Sequence, residues 1–341
     1  MQRRGVLALG AAAALPLAHA AAGPLRRIGF VSCIHQERPQ ALVDFLAEQA
    51  FDLFLFGGDN VYAPRPYGRD KLRAAYDKAA AAPGYTRLRR KQPHMAVWDD
   101  NDYDSADGGA SFAFRQEARE EFLAFWQVQS QDPRRSQEGL YHAQTFGPPG
   151  QRVQVIVLDT RSFRSRILRD TVRLPGDGGY TPDPDPAKTM LGAAQWQWLE
   201  AQLRQPAEVR LLVSSIQVLA EGHRWERWGN LPAERERLLA LVGGTGAQGV
   251  VLLSGDRHFG ALYRREAGLP YGLTELTSSG VTHSWDSPTD AQGNRVGAPY
   301  TGFNYATVDI DWAGRSLRLA VRDAQGTERL GQAIAFNDLK A

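Results

Sequence analysis

Six short apolar runs each end in residues able to do chemistry. Ile28 to Val31 leads into Ser32 and Cys33, Phe51 to Phe56 into Gly57-Gly58-Asp59-Asn60, and Met95 to Trp98 into Asp99-Asp100-Asn101-Asp102. Further along, Val153 to Leu158 leads into Asp159-Thr160-Arg161, Val209 to Val213 into Ser214-Ser215-Ile216-Gln217, and Val250 to Leu253 into Ser254-Gly255-Asp256-Arg257-His258. Asp59, Asp100 and Asp256 thus stand just beyond hydrophobic segments. An unpaired carboxylate there is costly and requires a cation, an arginine or a dense set of hydrogen bonds. Taken singly, each is a turn or helix-capping aspartate; taken together, the six run ends point to a shared metal. Cys33 reads either as a small buried hydrophobe or as a thiolate ligand closing the first run. His258, beside a candidate carboxylate, is the histidine best placed to coordinate, with His35 and His283 as outer or substrate contacts. His94, His142 and His223 sit in segments without clustered ligands.

The elements that position these residues follow from periodicity. The apolar runs have the length and composition of buried strands, and helix-period segments lie between them at Ala41 to Gln49, Lys71 to Ala80, Glu117 to Trp126, Ala193 to Leu203 and Pro232 to Leu241. Strand, loop and helix in alternation predict an α/β fold. In open α/β sheets ligands gather beyond the carboxyl ends of strands, so the six ends are expected to converge on one cleft. Beyond about residue 260 the stretches Tyr305 to Ile310 and Leu317 to Val321 alternate and predict antiparallel strands, read as a second sheet packed on the first within a single domain spanning 23–341. The Gly/Pro/Asp-rich stretch from Pro175 to Lys188 reads as a surface excursion. Gly244-Thr245-Gly246-Ala247-Gln248-Gly249 matches a dinucleotide fingerprint but precedes a strand and opens no helix, so it presents no helix amides to a pyrophosphate. There is no GxSxG elbow, Walker loop or HExxH.

The 341 residues carry 40 Lys+Arg against 38 Asp+Glu, and two of the arginines, Arg3 and Arg4, lie in residues 1–20. Near-neutrality argues against a general affinity for nucleic acid or anionic membrane. One cysteine forbids an intramolecular disulfide and an all-cysteine cluster. Residues 1–20, with two arginines, an apolar run and Ala18-His19-Ala20, read as a cleaved secretory signal. The arginine pair suggests the twin-arginine route, with an ordinary leader as the other reading. The mature chain is expected to be periplasmic or secreted.

The ordered set resembles the PhoD-like (alkaline phosphatase D) branch of the metallophosphoesterases. The matching residues are Ser32-Cys33, Gly58-Asp59-Asn60-Val61-Tyr62, Trp98-Asp99-Asp100-x-Asp102-Tyr103, Leu158-Asp159-Thr160-Arg161, Gln195-Trp196-x-Trp198-Leu199, Ser215-Ile216-Gln217, Ser254-Gly255-Asp256-Arg257-His258 and Thr277-Ser278-Ser279-Gly280. The resemblance implies a four-layer metallophosphatase fold, two packed mixed sheets flanked by helices. It also implies a phosphomonoesterase or phosphodiesterase that carries Fe3+ and Ca2+, other divalent metals being possible, and attacks its substrate with a metal-activated water or hydroxide. Carried over by residue, Asp59 would bridge the metals, Cys33, Tyr62 and His258 would complete the first site, and Asp100, Asp256 and Gln217 would serve the second. Thiolate, phenolate and imidazole suit Fe3+, and carboxylate and carbonyl oxygens suit Ca2+. Arg161, Arg164 and Arg257 are either phosphate contacts or structural ion-pair partners. Two departures stand out. Asn101 replaces the usual histidine, and an amide donates a hydrogen bond but delivers no proton, so leaving groups needing little protonation, or a neighbour such as Asp102 or His283, would have to serve. Ala106 stands where an oxygen ligand is common, with Asp107 as its replacement. The sequence therefore predicts a phosphoesterase acting on monoesters, diesters or phospholipids, with a non-catalytic binder of phosphorylated ligands as the competing reading.

Overall fold

A computed structural model describes residues 23–104, 106–172, 177–286 and 293–340; the predicted leader at 1–20 lies outside them. The expected runs form strands β1 (Arg27–Val31), β2 (Leu53–Gly57), β3 (His94–Val97), β5 (Val153–Val157), β6 (Val209–Ser214) and β7 (Val250–Ser254), of which β2, β5, β6 and β7 are buried at every position. Continuous burial explains their uninterrupted apolar character, because each is sandwiched on both faces. The expected helices are α1 (Ala41–Glu48), α2 (Arg69–Ala81), α4 (Arg115–Phe125), α5 (Gly192–Leu203) and α6 (Pro232–Gly244). A further helix, α3 (Pro83–Lys91), starts on a proline whose missing N–H costs nothing at a helix N-terminus.

The strands divide between two six-stranded mixed sheets. With β4 (His142–Phe146), β8 (Gly260–Arg265), β9 (Leu273–Ser278), β10 (Asn304–Asp311), β11 (Ser316–Asp323) and β12 (Glu328–Ala335), the orders are β12-β11-β10-β1-β2-β3 and β4-β5-β6-β7-β9-β8. The expectation that the late strands make a separate second sheet is corrected here. β10 to β12 extend the first sheet through the antiparallel β1–β10 pair, while β8 and β9 complete the second, β9 running parallel to β7. The expected pair of packed mixed sheets is present, each supplying three parallel strands whose ends carry the chemistry.

Phe56 of β2 packs on Tyr85 of α3 and on Trp126 at the end of α4, covering the first sheet. On the second, Gln154 of β5 donates to the Gln202 carbonyl of α5. The Gln195-Trp196 motif proves structural: the Gln195 amide closes on both the N–H and C=O of Asp159, and the Trp196 indole donates to Glu234. Among the described residues no helix is long and apolar enough to cross a membrane.

Candidate metal centre

Among the described residues seven non-glycine residues hold a left-handed backbone, and four of them are predicted ligands: Cys33 (φ 63°), Asp59 (52°), Asp256 (69°) and His258 (56°). Such conformations cost of order 1–3 kcal/mol each and persist only where surrounding bonds enforce them. Here Cys33 N–H donates to the Gly58 carbonyl (3.2 Å), Ile34 N–H to Asp59 (2.8 Å) and Gly255 N–H to Ser215 (2.9 Å). Gly58, at φ 110°, has no room for a side chain, since a Cβ would stand 2.6 Å from that of Asp99. The strand ends of the two sheets therefore approach closely and aim short side chains at one point.

At that point one ligand atom each from Cys33, Asp59 and His258 lie within 4.8 Å of one another, and so do those of Asp59, Asp99 and Asp100. Asp59 belongs to both groups. Its Oδ2 faces the Cys33 thiol (3.6 Å), the Tyr62 hydroxyl (3.0 Å) and the Asn101 amide nitrogen (3.0 Å), and its Oδ1 accepts from Asn101 N–H (3.0 Å). Tyr62 OH also meets His258 Nε2 at 3.2 Å. Sulfur, phenol and imidazole gather on one side of Asp59; carboxylates gather on the other.

The electrostatics call for cations. Burial pushes the Cys33 thiol and the Asp59, Tyr62, Asp100 and Asp256 groups well above their ordinary pKa values, and neighbouring anions push Cys33, Asp59, Tyr62 and Asp100 further in the same direction. Burial lowers His258 well below the ordinary imidazole value, and its Nδ1 is buried without a hydrogen-bond partner, as is Asp99 Oδ2. Buried orphan acceptors beside a cluster of desolvated anions fit bound metal, which reverses each of these penalties.

A pH dependence follows. Carboxyls with raised folded pKa values, here Asp59, Asp100 and Asp256, stabilise the metal-free fold below their ordinary value and lose that contribution as pH rises through the folded value. Metal binding displaces those protons, so the rise in Tm on metal loading of chelated protein is expected to grow from about pH 5 to about pH 8. Thermal unfolding with and without metal measures it; a pH-independent rise would refute the cluster.

The PhoD-like phosphatase family matches residues 28–309. The chain belongs to this family. No curated protein matches it in sequence. The structure of PhoD superposes with TM-score 0.69 at 17% identity, covering 93% of this chain and 69% of that one. Purple acid phosphatase PPD1 from yellow lupin (Lupinus luteus) seeds gives 0.65 at 11% identity over 94% of this chain and 56% of its own. GAP50, the anchor in the inner membrane complex of Plasmodium, gives 0.51 at 10% identity, covering 93% and 90%. These likenesses share the fold. As a PhoD-like phosphatase the chain is a metal-dependent hydrolase of phosphoric esters with a small-molecule phosphoester substrate.

Within this PhoD-like site several predicted residues take other work. Asp102 is fully buried, with Oδ1 accepting from Asp99 N–H (2.7 Å) and Oδ2 from the Asn60 backbone (3.2 Å), Asn60 side chain (2.6 Å) and Tyr76 hydroxyl (3.3 Å). It anchors the β2 and β3 ends and presents no open edge to substrate. Gln217 is equally enclosed: its nitrogen donates to Tyr263 and Thr277, and its oxygen accepts from His223 Nε2. That histidine's Nδ1 accepts from Trp225 N–H, so the proton sits on Nε2 and the Gln217 carbonyl is already used. Arg161 and Arg164 are buried ion-pair partners. Arg161 Nε donates to Asp99 Oδ1 (2.6 Å), and the two guanidiniums share Glu226 at 2.6 and 2.9 Å. Arg257 is buried 3.8 Å from Asp256 Oδ2. His283 Nε2 lies 3.1 Å from His258 Nε2. Asp107 N–H reaches Asp100 Oδ2 (3.2 Å), and its own Oδ2 accepts from Tyr180 (2.6 Å). Tyr180 is buried, so part of the expected surface excursion plugs inward.

Asp99, Glu226 and Tyr180 escaped sequence reading. The doubled aspartate after β3 was a usable signal for Asp99. Glu226 and Tyr180 stand in loops whose inward direction no local pattern encodes.

Proposed function

We propose that this chain is an exported enzyme, a single catalytic domain over 23–341 behind a leader at 1–20, that hydrolyses phosphomono- or phosphodiesters at two cations sharing Asp59. The observation that carries the reading is the membership of Asp59 in both ligand groups. Cys33, Tyr62 and His258 would hold Fe3+ with Asp59; Asp100 and Asp256, with Asp99 in place of Gln217, would hold Ca2+. When bound, such ions polarise water and neutralise charge on the phosphoryl group.

The chain's own groups do the rest. Asn101 Nδ2 donates to both Asp59 Oδ2 (3.0 Å) and Asp100 Oδ1 (2.9 Å), which spends its two amide hydrogens on holding these carboxylates together. Arg257, buried beside Asp256, adds fixed positive charge. In the reaction the water oxygen bonds to phosphorus, the ester P–O bond breaks in line, and the departing oxygen takes a proton. Asn101 cannot give one and Asp102 is sealed in, which leaves His283 or solvent. Burial lowers His283 to a pKa of about 4, so at neutral pH it is almost wholly unprotonated and solvent is the main proton source.

Hydrolysis by the metal-loaded protein of bis-p-nitrophenyl phosphate, whose leaving group needs little protonation, is the test. Turnover is expected to exceed that of dialkyl phosphates by about a hundredfold or more, the worth of a missing proton donor. Elemental analysis should show iron and calcium. Absence of turnover, with inorganic phosphate still bound, would favour the binder.

A further inference from the structure

Aromatic rings form a continuous wall beside the anionic cluster. His35 stacks on Tyr62 (4.6 Å between centroids), Tyr62 meets His283 edge-on (5.2 Å), His283 meets His258 (4.0 Å), His258 meets Trp285 (5.2 Å), and Trp285 meets Trp225 (4.7 Å). The two indoles come from separate loops, after β6 and after β9, and both are only partly buried. The Trp285 backbone N–H donates to the His258 carbonyl (2.9 Å), so its main chain is tied to that of a candidate ligand. Leaving two adjacent indoles open to water forgoes burial that folding elsewhere exploits.

We propose that Trp225 and Trp285 form a shelf that takes a flat, uncharged aromatic ester group of the phosphoester substrate, an inference that rests on the hydrolytic reading above. The position, one ring beyond His258, suits a ring joined to the phosphate through an ester oxygen or a short arm. Arg257 decides the charge of the occupant. Its guanidinium lies 5.3 Å from the Trp225 centroid and 5.2 Å from that of Trp285, so the cation the indoles would attract is already in place. A quaternary ammonium group would meet that fixed charge; a neutral ring would not. Aryl and nucleoside esters share the required chemistry.

The test holds the leaving group constant. Metal-loaded protein is assayed on p-nitrophenyl phosphodiesters whose second ester group is phenyl, thymidin-5′-yl, methyl or choline. The kcat/KM of the phenyl or thymidine ester is expected to exceed that of the methyl ester by about tenfold, as stacking on an indole supplies. The advantage should sit in KM, fall to about unity in Trp285→Ala and Trp225→Ala, and return in Trp285→Phe. Phenyl and thymidine arms separate aryl from nucleoside sources. An aromatic-to-methyl ratio unmoved by the substitutions, or a preference for the choline ester, overturns the shelf. Calorimetric binding of phenylphosphonate against methylphosphonate gives a readout without turnover. A tenfold preference there with no ester hydrolysed keeps the shelf and sinks the hydrolytic reading; turnover without aromatic preference does the reverse.

Discussion

Replacing Asp59 with asparagine is expected to lower kcat by at least about a thousandfold while the protein stays folded. That corresponds to about 4 kcal/mol of lost transition-state stabilisation, within what a metal pair supplies. Asp59 alone belongs to both groups of convergent ligands, so the substitution weakens both sides together. An amide keeps one oxygen for the Asn101 N–H but places a neutral NH2 where Tyr62, Cys33 and the Asn101 side chain now face a carboxylate. The fold survives because the change removes a charge that burial and Asp100 already penalise. Chelated Asp59→Asn protein is accordingly expected to unfold at the same temperature as chelated wild type or above it. Its stability should fall less as pH rises, since one carboxyl with a raised pKa is gone. Steady-state kinetics and thermal unfolding of chelated samples measure both; wild-type turnover would remove Asp59 from the reaction.

Removing Glu226 should strike stability instead. Arg161, Arg164, Asp99 and Glu226 form a buried, formally neutral quartet in which Glu226 joins the two guanidiniums. Burial raises the Glu226 pKa even though both arginines pull it down, a sign of how far the group sits from water. Glu226→Ala leaves a net positive charge in the interior, and breaking a buried pair from one side costs about 3–5 kcal/mol. The arginines also hold the loop before α4, Arg161 through the Gly108 carbonyl and Arg164 through those of Asp107 and Gly108, and so support the Asp107 N–H that meets Asp100. Loss of stability should therefore be accompanied by weaker metal retention. Urea unfolding at low and high salt is the measurement, with little salt dependence expected of a buried network. A change below about 0.5 kcal/mol would show the quartet to be dispensable.

Much of the candidate metal centre was legible because its convergent side chains follow strands. An apolar run of four to six residues marks a strand buried on both faces, and the polar residue after it must lie at the sheet's edge. That local rule pointed to Cys33, Asp59, Asp100, Asp256 and His258, and all but Asp256 have ligand atoms in the two convergent groups. Gln217 and Asp102 also follow strands but are fully enclosed. The type of a polar residue does not say whether it joins a convergent group, as Asp59 does, or spends itself on neighbouring N–H donors, as Asp102 does.

The amino-acid order by itself determined eight of the twelve strands and five of the six helices among the described residues, because each is written in residue type and short-range period. Tertiary structure alone decided how twelve strands divide between two sheets, that β1 pairs with β10 some 280 residues later, and that Arg161, Arg164 and Glu226 neutralise one another. Strand pairing and buried charge compensation depend on which distant segments meet. That is fixed by the closing of the whole core, to which no single window of sequence has access.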